Sequence, residues 1–448
     1  MGNLFLTTFQ LNLMLDILKA EARKAAELIR SHEFIRIFTH YDVDGISSAA
    51  ILAKSLLRMD KRFHLSFLNG LNNGNLDYER DELTVFLDMG SGYPDVVSEV
   101  NSDVLIIDHH FPMGKINPTK KLVHVNPHLA GLDGSFELSA SGTTYVVANQ
   151  LGKNKDLVGI ALAGIIGDKQ KIKGGNAEIV REGVAEGYIE EKEGLLIYSG
   201  KLKEVLQISV EPYLDFYKKE DELEEFLEKT GLDGDAEIDN LSEEDIRRLS
   251  DAIVLRILEI GGSEEVVQDF LGKRYLLKAE LIQNALTLAD VVNSCGRVSA
   301  FSIGFGICMR DEKFLERGFE IWRKFQTELL EEIKRRKEEV KLANCIRYLV
   351  MDDAPTTGPI ATILSRYLYS DLPFVAVNVK KDVAKVSSRT TMRLSEIVDL
   401  GLVMYKAAEK VGGRGGGHRV AAGANIPPDK VNEFIKEVDR LCCTVLAK

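Results

Sequence analysis

Phe34-Ile35-Arg36-Ile37-Phe38-Thr39-His40-Tyr41-Asp42-Val43-Asp44-Gly45 is the stretch whose reading decides the fold. Its first five residues have the apolar run of a buried strand. Ile46 to Ala53, just beyond it, reads as the start of a packed helix. One imidazole and two carboxylates therefore stand where a strand gives way to a helix, the edge at which open α/β sheets bind ligands. On an extended backbone His40, Asp42 and Asp44 alternate and share a face. Charges are not buried unpaired, so three such groups among small and apolar neighbours call for something cationic.

Working outward, the same grammar repeats. Phe63–Leu68, Leu83–Leu87, Val104–Ile107 and Lys121–Val125 read as further strands, and Ser139-Ala140-Ser141-Gly142 opens a helix with good capping residues. Leu157–Ile166 is a buried helix or strand ending at Gly167-Asp168. Apolar runs alternating with helical segments predict a parallel sheet. From about residue 190 charged helical segments dominate, among them the acidic amphipathic stretches 218–228 and 236–248. Residues 319–341 read as one long helix with Glu/Lys pairs at i,i+4 spacing. Strand signals return at 345–351, 374–379 and 383–387. The expected fold class is α/β. A parallel-sheet domain covers 1–190, a helical insertion packed on it 191–318, a linker helix 319–341, and a smaller α/β domain 342–448.

The chain has 448 residues, 45% hydrophobic and 28% charged, which is ordinary globular composition. A net charge of -12 argues against a protein that coats nucleic acid indiscriminately, but only the field near a site decides local binding. Five cysteines show no zinc spacing, and adjacent Cys442-Cys443 is a poor disulfide. The expectation is a reduced, cytoplasmic protein. The longest apolar run is too short to span a bilayer, so no membrane role is expected.

The polar residues that follow the apolar runs are His40, Asp42 and Asp44, then Asp88, then Asp108-His109-His110, then Asp168. A single Asp after a strand is commonly a turn or helix cap. Four such positions on successive apolar ends are harder to explain that way. So many carboxylates in one pocket cannot all ionise without cations. Oxygen and imidazole donors without thiolate suit Mn²⁺, Mg²⁺ or Zn²⁺, and their number fits two ions.

These four motifs, in this order, resemble those of the DHH phosphoesterase superfamily. Gly412-Gly413-Arg414-Gly415-Gly416-Gly417-His418-Arg419 is similar to the glycine-rich motif of its companion DHHA1 domain. Asn293-Ser294-Cys295-Gly296-Arg297 resembles an element of RecJ-like members. The likeness leans to the archaeal RecJ-like single-strand exonucleases, of the Hef-associated or the GINS-associated branch. The resemblance implies two divalent metal ions, Mn²⁺ first, with Asp88 bridging them. His40 and Asp42 would complete one site; Asp44, His109 and Asp168 would complete the other. Asp108 would orient a neighbouring ligand and His110 would face the scissile phosphate. Arg297 joins the catalytic set.

Between Lys380 and Arg419 nine Lys/Arg stand against four Asp/Glu, a basic patch in an acidic chain. Ser388, Arg389, Gly416, Gly417 and His418 are the expected substrate-binding residues. Glycines let the main chain approach a phosphate, and basic residues following a backbone suit single-stranded nucleic acid. Three functions are open at this stage. One is an exonuclease on single-stranded DNA or RNA in repair or replication-fork processing, partnered by a Hef-like helicase/nuclease or a GINS-like protein. Another is a phosphodiesterase for oligoribonucleotides or cyclic dinucleotides. The third is a scaffold without catalysis.

Overall fold

A computed structural model describes residues 2–446 except 73, 75, 118, 119 and 353. It divides into two compact units, residues 1–192 with 274–322, and residues 193–273 with 323–448.

The first unit is built on five parallel strands: β1 (Phe34–His40), β2 (Arg62–Leu68), β3 (Leu83–Leu87), β4 (Asp103–Ile107) and β5 (Leu122–Val125), in the order β2-β1-β3-β4-β5. All five residues of β3 are buried, as expected of a central strand covered on both faces. The strand order reverses between β1 and β3, which opens a crevice at their carboxyl ends. Asp88 follows β3 directly and Asp108 follows β4, so both carboxylates are delivered to that edge.

The opening motif does not continue as a strand. β1 stops at His40, Asp42 caps the helix Val43–Leu57 by accepting a hydrogen bond from Gly45 N, and Asp44 lies in that helix's first turn. The three side chains therefore converge through a tight strand-to-helix turn instead of strand alternation. Gly45 permits the turn: a Cβ there would lie 2.3 Å from the carbonyl oxygen of His40. Leu157–Ile166 resolves as the buried helix Val158–Gly167, so Asp168 comes from a helix C-terminus and not from a strand end. That helix packs tightly on Val43–Leu57, and a Cβ on Gly167 would lie 2.0 Å from Val43 Cγ1.

The chain leaves this unit along β6 (Ile189–Leu195) and returns along β7 (Leu271–Leu277), a pair the sequence did not announce. The expected insertion 191–318 is thus divided. Residues 274–322 belong to the first unit because the helices Ala285–Arg297 and Phe301–Cys308 pack on Val43–Leu57, and Phe301 stacks on Phe67 at 5.3 Å. Residues 193–273 belong to the second, where Asp269 pairs with Arg366 and Glu265 accepts from Met392 N. The long helix spans Leu315–Arg336, ending short of the expected 341 in a 3₁₀ turn.

The second unit carries the strands β8 (Lys341–Leu342), β9 (Arg347–Asp352), β10 (Phe374–Val379), β11 (Ala384–Arg389), β12 (Arg414–Gly417) and β13 (Ala421–Ile426), ordered β12-β13-β11-β10-β9-β8. Only β9 and β10 run parallel. Val375, Val377, Met404 and Phe434 anchor its core. Within the glycine run, Arg414–Gly417 forms the edge strand β12. Cys345 and Cys443 form a disulfide, which corrects the expectation that all five cysteines are reduced; Cys295, Cys308 and Cys442 are free and buried. Among the described residues no helix is long and apolar enough to cross a membrane.

Gly45→Ala should cost roughly 1–3 kcal/mol, because backbone cannot yield to the new methyl. Gly416→Ala, whose Cβ meets nothing within 4 Å, should leave the melting temperature unchanged. Paired thermal melts measure the difference.

Candidate metal centre

The structure brings His40, Asp42, Asp44, Asp88, His109, His110 and Asp168 together at the crevice. Their ligand atoms fall into overlapping groups within 4.8 Å: His40 with Asp42 and Asp88, Asp44 with His109 and Asp168, and Asp88 with His109 and His110. Asp88 links the first group to the third, and His109 links the third to the second. The φ of +55° at Asp88 turns the chain sharply as β3 ends, a conformation that a non-glycine residue holds only where its surroundings enforce it. Asp88 Oδ2 lies 3.5 Å from His40 Nδ1 and Oδ1 lies 3.3 Å from His109 Nε2.

Each ligand is held differently. Asp44 is 1% exposed, yet its carboxylate accepts from Ser139 Oγ (3.0 Å), Ala140 N (2.8 Å) and Ser141 N (3.0 Å) at the start of the helix Ala140–Leu151. The positive end of that helix offsets part of the cost of the buried charge. His109 Nδ1 sits 2.8 Å from the Gly134 carbonyl, a pattern that assigns the proton to Nδ1 and leaves Nε2 facing the carboxylates. His40 and Asp42 are more open, with side chains 27% and 26% exposed and Nδ1 to Oδ2 at 2.9 Å.

Asp108 is not a member of any of these groups. It is fully buried, and its Oδ1 accepts from His109 N, His110 N and His110 Nδ1 while Oδ2 accepts from Ser91 N. It shapes the loop that carries both imidazoles. With Nδ1 committed to Asp108, the half-exposed His110 ring has Nε2 as its other polar atom.

The electrostatics show mutual compensation. Burial pulls His40 down, but Asp42 and Asp88 outweigh it and hold the imidazole up at about 11. Burial likewise opposes the charge on His110, yet Asp108 holds it up at about 9. Burial pushes Asp44 up to about 6, and Asp88 adds to the rise. Asp168 is pushed up to about 8 by burial, with His109 pulling the other way. Asp88 is held far below the usual carboxylate range because the neighbouring imidazoles of His109, His40 and His110 overcome its burial.

Whether these groups fit a cation is answered by Asp88 itself. Its Oδ1 is buried and has no hydrogen-bond partner. A buried acceptor left so costs about 1–3 kcal/mol, and a divalent cation between the carboxylates would satisfy it. The donor set, carboxylates and imidazoles only, suits hard or borderline divalent ions.

The remaining expected residues are not members of these groups. Arg297 is exposed at the end of Ala285–Arg297; its neighbour Gly296 abuts Tyr41, where a Cβ would lie 2.2 Å from the Tyr41 carbonyl oxygen. In the second unit Ser388 is fully buried and its hydroxyl donates to the Ala422 carbonyl, which removes it from the ligand-facing set. Arg389 is half-buried, donating to Thr362 Oγ1 and the Ser388 carbonyl. Gly416 has open space at its Cα, and Gly417 and His418 are exposed. Sequence reasoning missed Gln170, Gly134, Asn126 and the bonding role of Ser139. Asn126 is buried and donates to Ser91 Oγ and the His110 carbonyl. Proximity of Gln170 to Asp168 in the chain was the one available signal.

Residues 34–165 match the model of the DHH family N-terminal domain, and residues 346–443 that of the DHHA1 domain. The uncharacterized protein MJ0831 of Methanocaldococcus jannaschii is 33% identical over 93% of this chain and 94% of its own. Among solved structures, RecJ of Thermus thermophilus in complex with Mn²⁺ superposes with a TM-score of 0.61 at 17% identity, covering 95% of this chain. This chain spans only 55% of that RecJ. CDC45 of Entamoeba histolytica superposes with a TM-score of 0.62 at 14% identity, over 97% of this chain and 99% of its own. With both family domains in sequence and a relative matched over 94% of its own length at that identity, this chain belongs to the DHH family and carries a DHHA1 domain.

Proposed function

We propose that this protein is a two-metal phosphodiesterase that removes nucleotides from an end of single-stranded DNA. The observation that carries the reading is the pairing of two ligand groups linked through Asp88 and His109. Two divalent ions, when bound, stabilise the attacking and leaving oxygens of an in-line phosphoryl displacement. His40 and Asp42 would hold one ion; Asp44, His109 and Asp168 would hold the other. Asp88 would bridge them, a role its Oδ2 at 3.5 Å from His40 Nδ1 and its Oδ1 at 3.3 Å from His109 Nε2 support. His110, charged at neutral pH through its bond to Asp108, supplies a cationic donor for a non-bridging phosphate oxygen.

The second unit supports a nucleic-acid substrate over a small one. Gly416 needs neither positive φ nor close packing within the chain, so its missing side chain leaves space for a ligand backbone. Exposed Gly417 and His418 follow it, and the Lys/Arg excess between 380 and 419 gives the attraction that single strands require. A complete ligand set weighs against a scaffold without catalysis.

With Mn²⁺ and end-labelled DNA and RNA of graded length, the protein should shorten long single-stranded DNA progressively from one end. Activity restricted to oligomers of a few nucleotides would favour the small-substrate phosphodiesterase instead. Asp88→Asn should lower turnover by at least about 10²-fold while preserving the circular dichroism spectrum. Mn²⁺ must displace protons from Asp44 and Asp168, raised to about 6 and about 8. Affinity should therefore climb as pH rises across that range, with net proton release seen by calorimetry in buffers of different ionisation enthalpy. A pH-independent affinity would contradict the assignment. Arg389→Ala should lower the slope of log K against log salt by about one; an unchanged slope removes Arg389 from the grip.

A further inference from the structure

One buried amide beside the metal centre has no role in the reading so far. Gln170 is 7% exposed and two residues beyond Asp168. Its Nε2 donates to the Gly134 carbonyl at 2.7 Å and to Asp168 Oδ2 at 3.1 Å. Its Oε1 accepts from Asn176 Nδ2 at 2.9 Å. Asn176 is fully buried and also donates to the Lys171 carbonyl. That second bond orients the Asn176 amide, which in turn orients the amide of Gln170. His109 Nδ1 donates to the same Gly134 carbonyl, and its 3.1 Å approach to Gln170 Nε2 follows from the shared acceptor. Gly134 holds this carbonyl in place by close packing, since a Cβ would lie 2.1 Å from the His109 carbonyl oxygen. On the far side Asn176 Oδ1 lies 3.4 Å from Ser139 N, and Ser139 Oγ donates to Asp44.

Asp44, His109 and Asp168 are therefore joined by one buried chain of polar groups: Ser139, Asn176, Gln170 and the Gly134 carbonyl. His40 and Asp42 have no comparable support. Asp42 accepts from Gly45 N, and both side chains are about a quarter exposed. Partners that orient metal ligands typically change affinity about 10–100-fold when lost.

We propose that Gln170, oriented by Asn176, is the positioning residue that pre-organises the Asp44–His109–Asp168 site and makes it the tighter of the two cation sites. The proposal rests on the metal-centre reading but not on the nature of the substrate. It assigns Gln170 no contact with a reacting atom. The amide holds Asp168 Oδ2 and fixes the acceptor that sets the tautomer of His109.

Mn²⁺ alone is the probe, titrated by calorimetry into full-length protein carrying Asp42→Asn, which removes a ligand from the other site. In that background Gln170→Met, nearly isosteric but unable to hydrogen-bond, should weaken Mn²⁺ binding about 10–100-fold. In the otherwise unaltered chain the same substitution should weaken only the tighter of two binding events. A general structural role would weaken both and lower the melting temperature without metal. Equal loss at both sites, or Mn²⁺ binding as tight as in the parent, overturns the proposal. Should Gln170→Met not fold, Asn176→Leu decides: it frees the Gln170 amide to flip, and the tighter event must weaken or the proposal fails. A parent chain that takes up no Mn²⁺ overturns both this inference and the metal-centre reading, whereas Mn²⁺ uptake that ignores Gln170 overturns this inference alone.

Discussion

Repulsion among carboxylates is the constraint on which this structure turns. Asp42, Asp44, Asp88 and Asp168 are gathered at one sheet edge, two of them almost fully buried. A pair of like charges ~4 Å apart costs about 4 kcal/mol at an effective dielectric constant of about 20. The fold tolerates this by surrounding them with donors. A helix N-terminus and a serine serve Asp44, Gln170 serves Asp168, and the imidazoles of His109 and His40 stand 3.3 and 3.5 Å from Asp88. The tight packing of glycine helices follows from the same need. A Cβ on Gly164 would lie 2.6 Å from Asp44 Oδ1, so the helix that delivers Asp168 can approach Asp44 only because that position is glycine. Asp88 Oδ1 is a buried acceptor that the protein leaves without a hydrogen-bond partner.

Much of this was legible in the sequence, for a physical reason. Strands buried on both faces carry continuous apolar runs, so β1, β3 and β4 could be located and the charged residues just after them stood out. The path of the backbone through the site was less legible. His40, Asp42 and Asp44 alternate in sequence, but a cap and a turn bring them together. Asp168 follows a run apolar enough to be helix or strand, and tertiary packing decides for helix. Gln170 and Asn176 are invisible for a different reason: an amide's role depends on which buried partners surround it, and those lie up to 61 residues away. The Cys345–Cys443 pairing spans 98 residues and could not be read from spacing. The division of 191–318 also escaped, because amphipathic helices declare an apolar face without naming what covers it.

The two ligand groups differ in a way that bears on how such a centre works. Asp44, His109 and Asp168 arrive from a helix, a strand-end loop and a helix C-terminus, three elements locked by packing and buried polar bonds. His40 and Asp42 lie on the single turn between β1 and its following helix. Pre-organised ligands lower the reorganisation needed as charge develops. One group is thus locked by buried polar bonds while the other is about a quarter exposed.

The second unit gives a contrasting lesson about polar residues near a glycine run. Ser388 and Arg389 are adjacent on β11, yet alternation sends Ser388 into the sheet, where its hydroxyl is spent on Ala422. Arg389 points the other way and keeps part of its surface exposed. β13 separates β11 from the glycine strand β12, and the three strands lie in one antiparallel sheet. Gly416 on β12 faces Gly423 on β13, so neither strand projects a side chain at that register. The surface there is main chain, polar and flat, with His418 just past the strand end and Arg419 donating to the Ser395 carbonyl. A surface of that kind offers little to an apolar ligand.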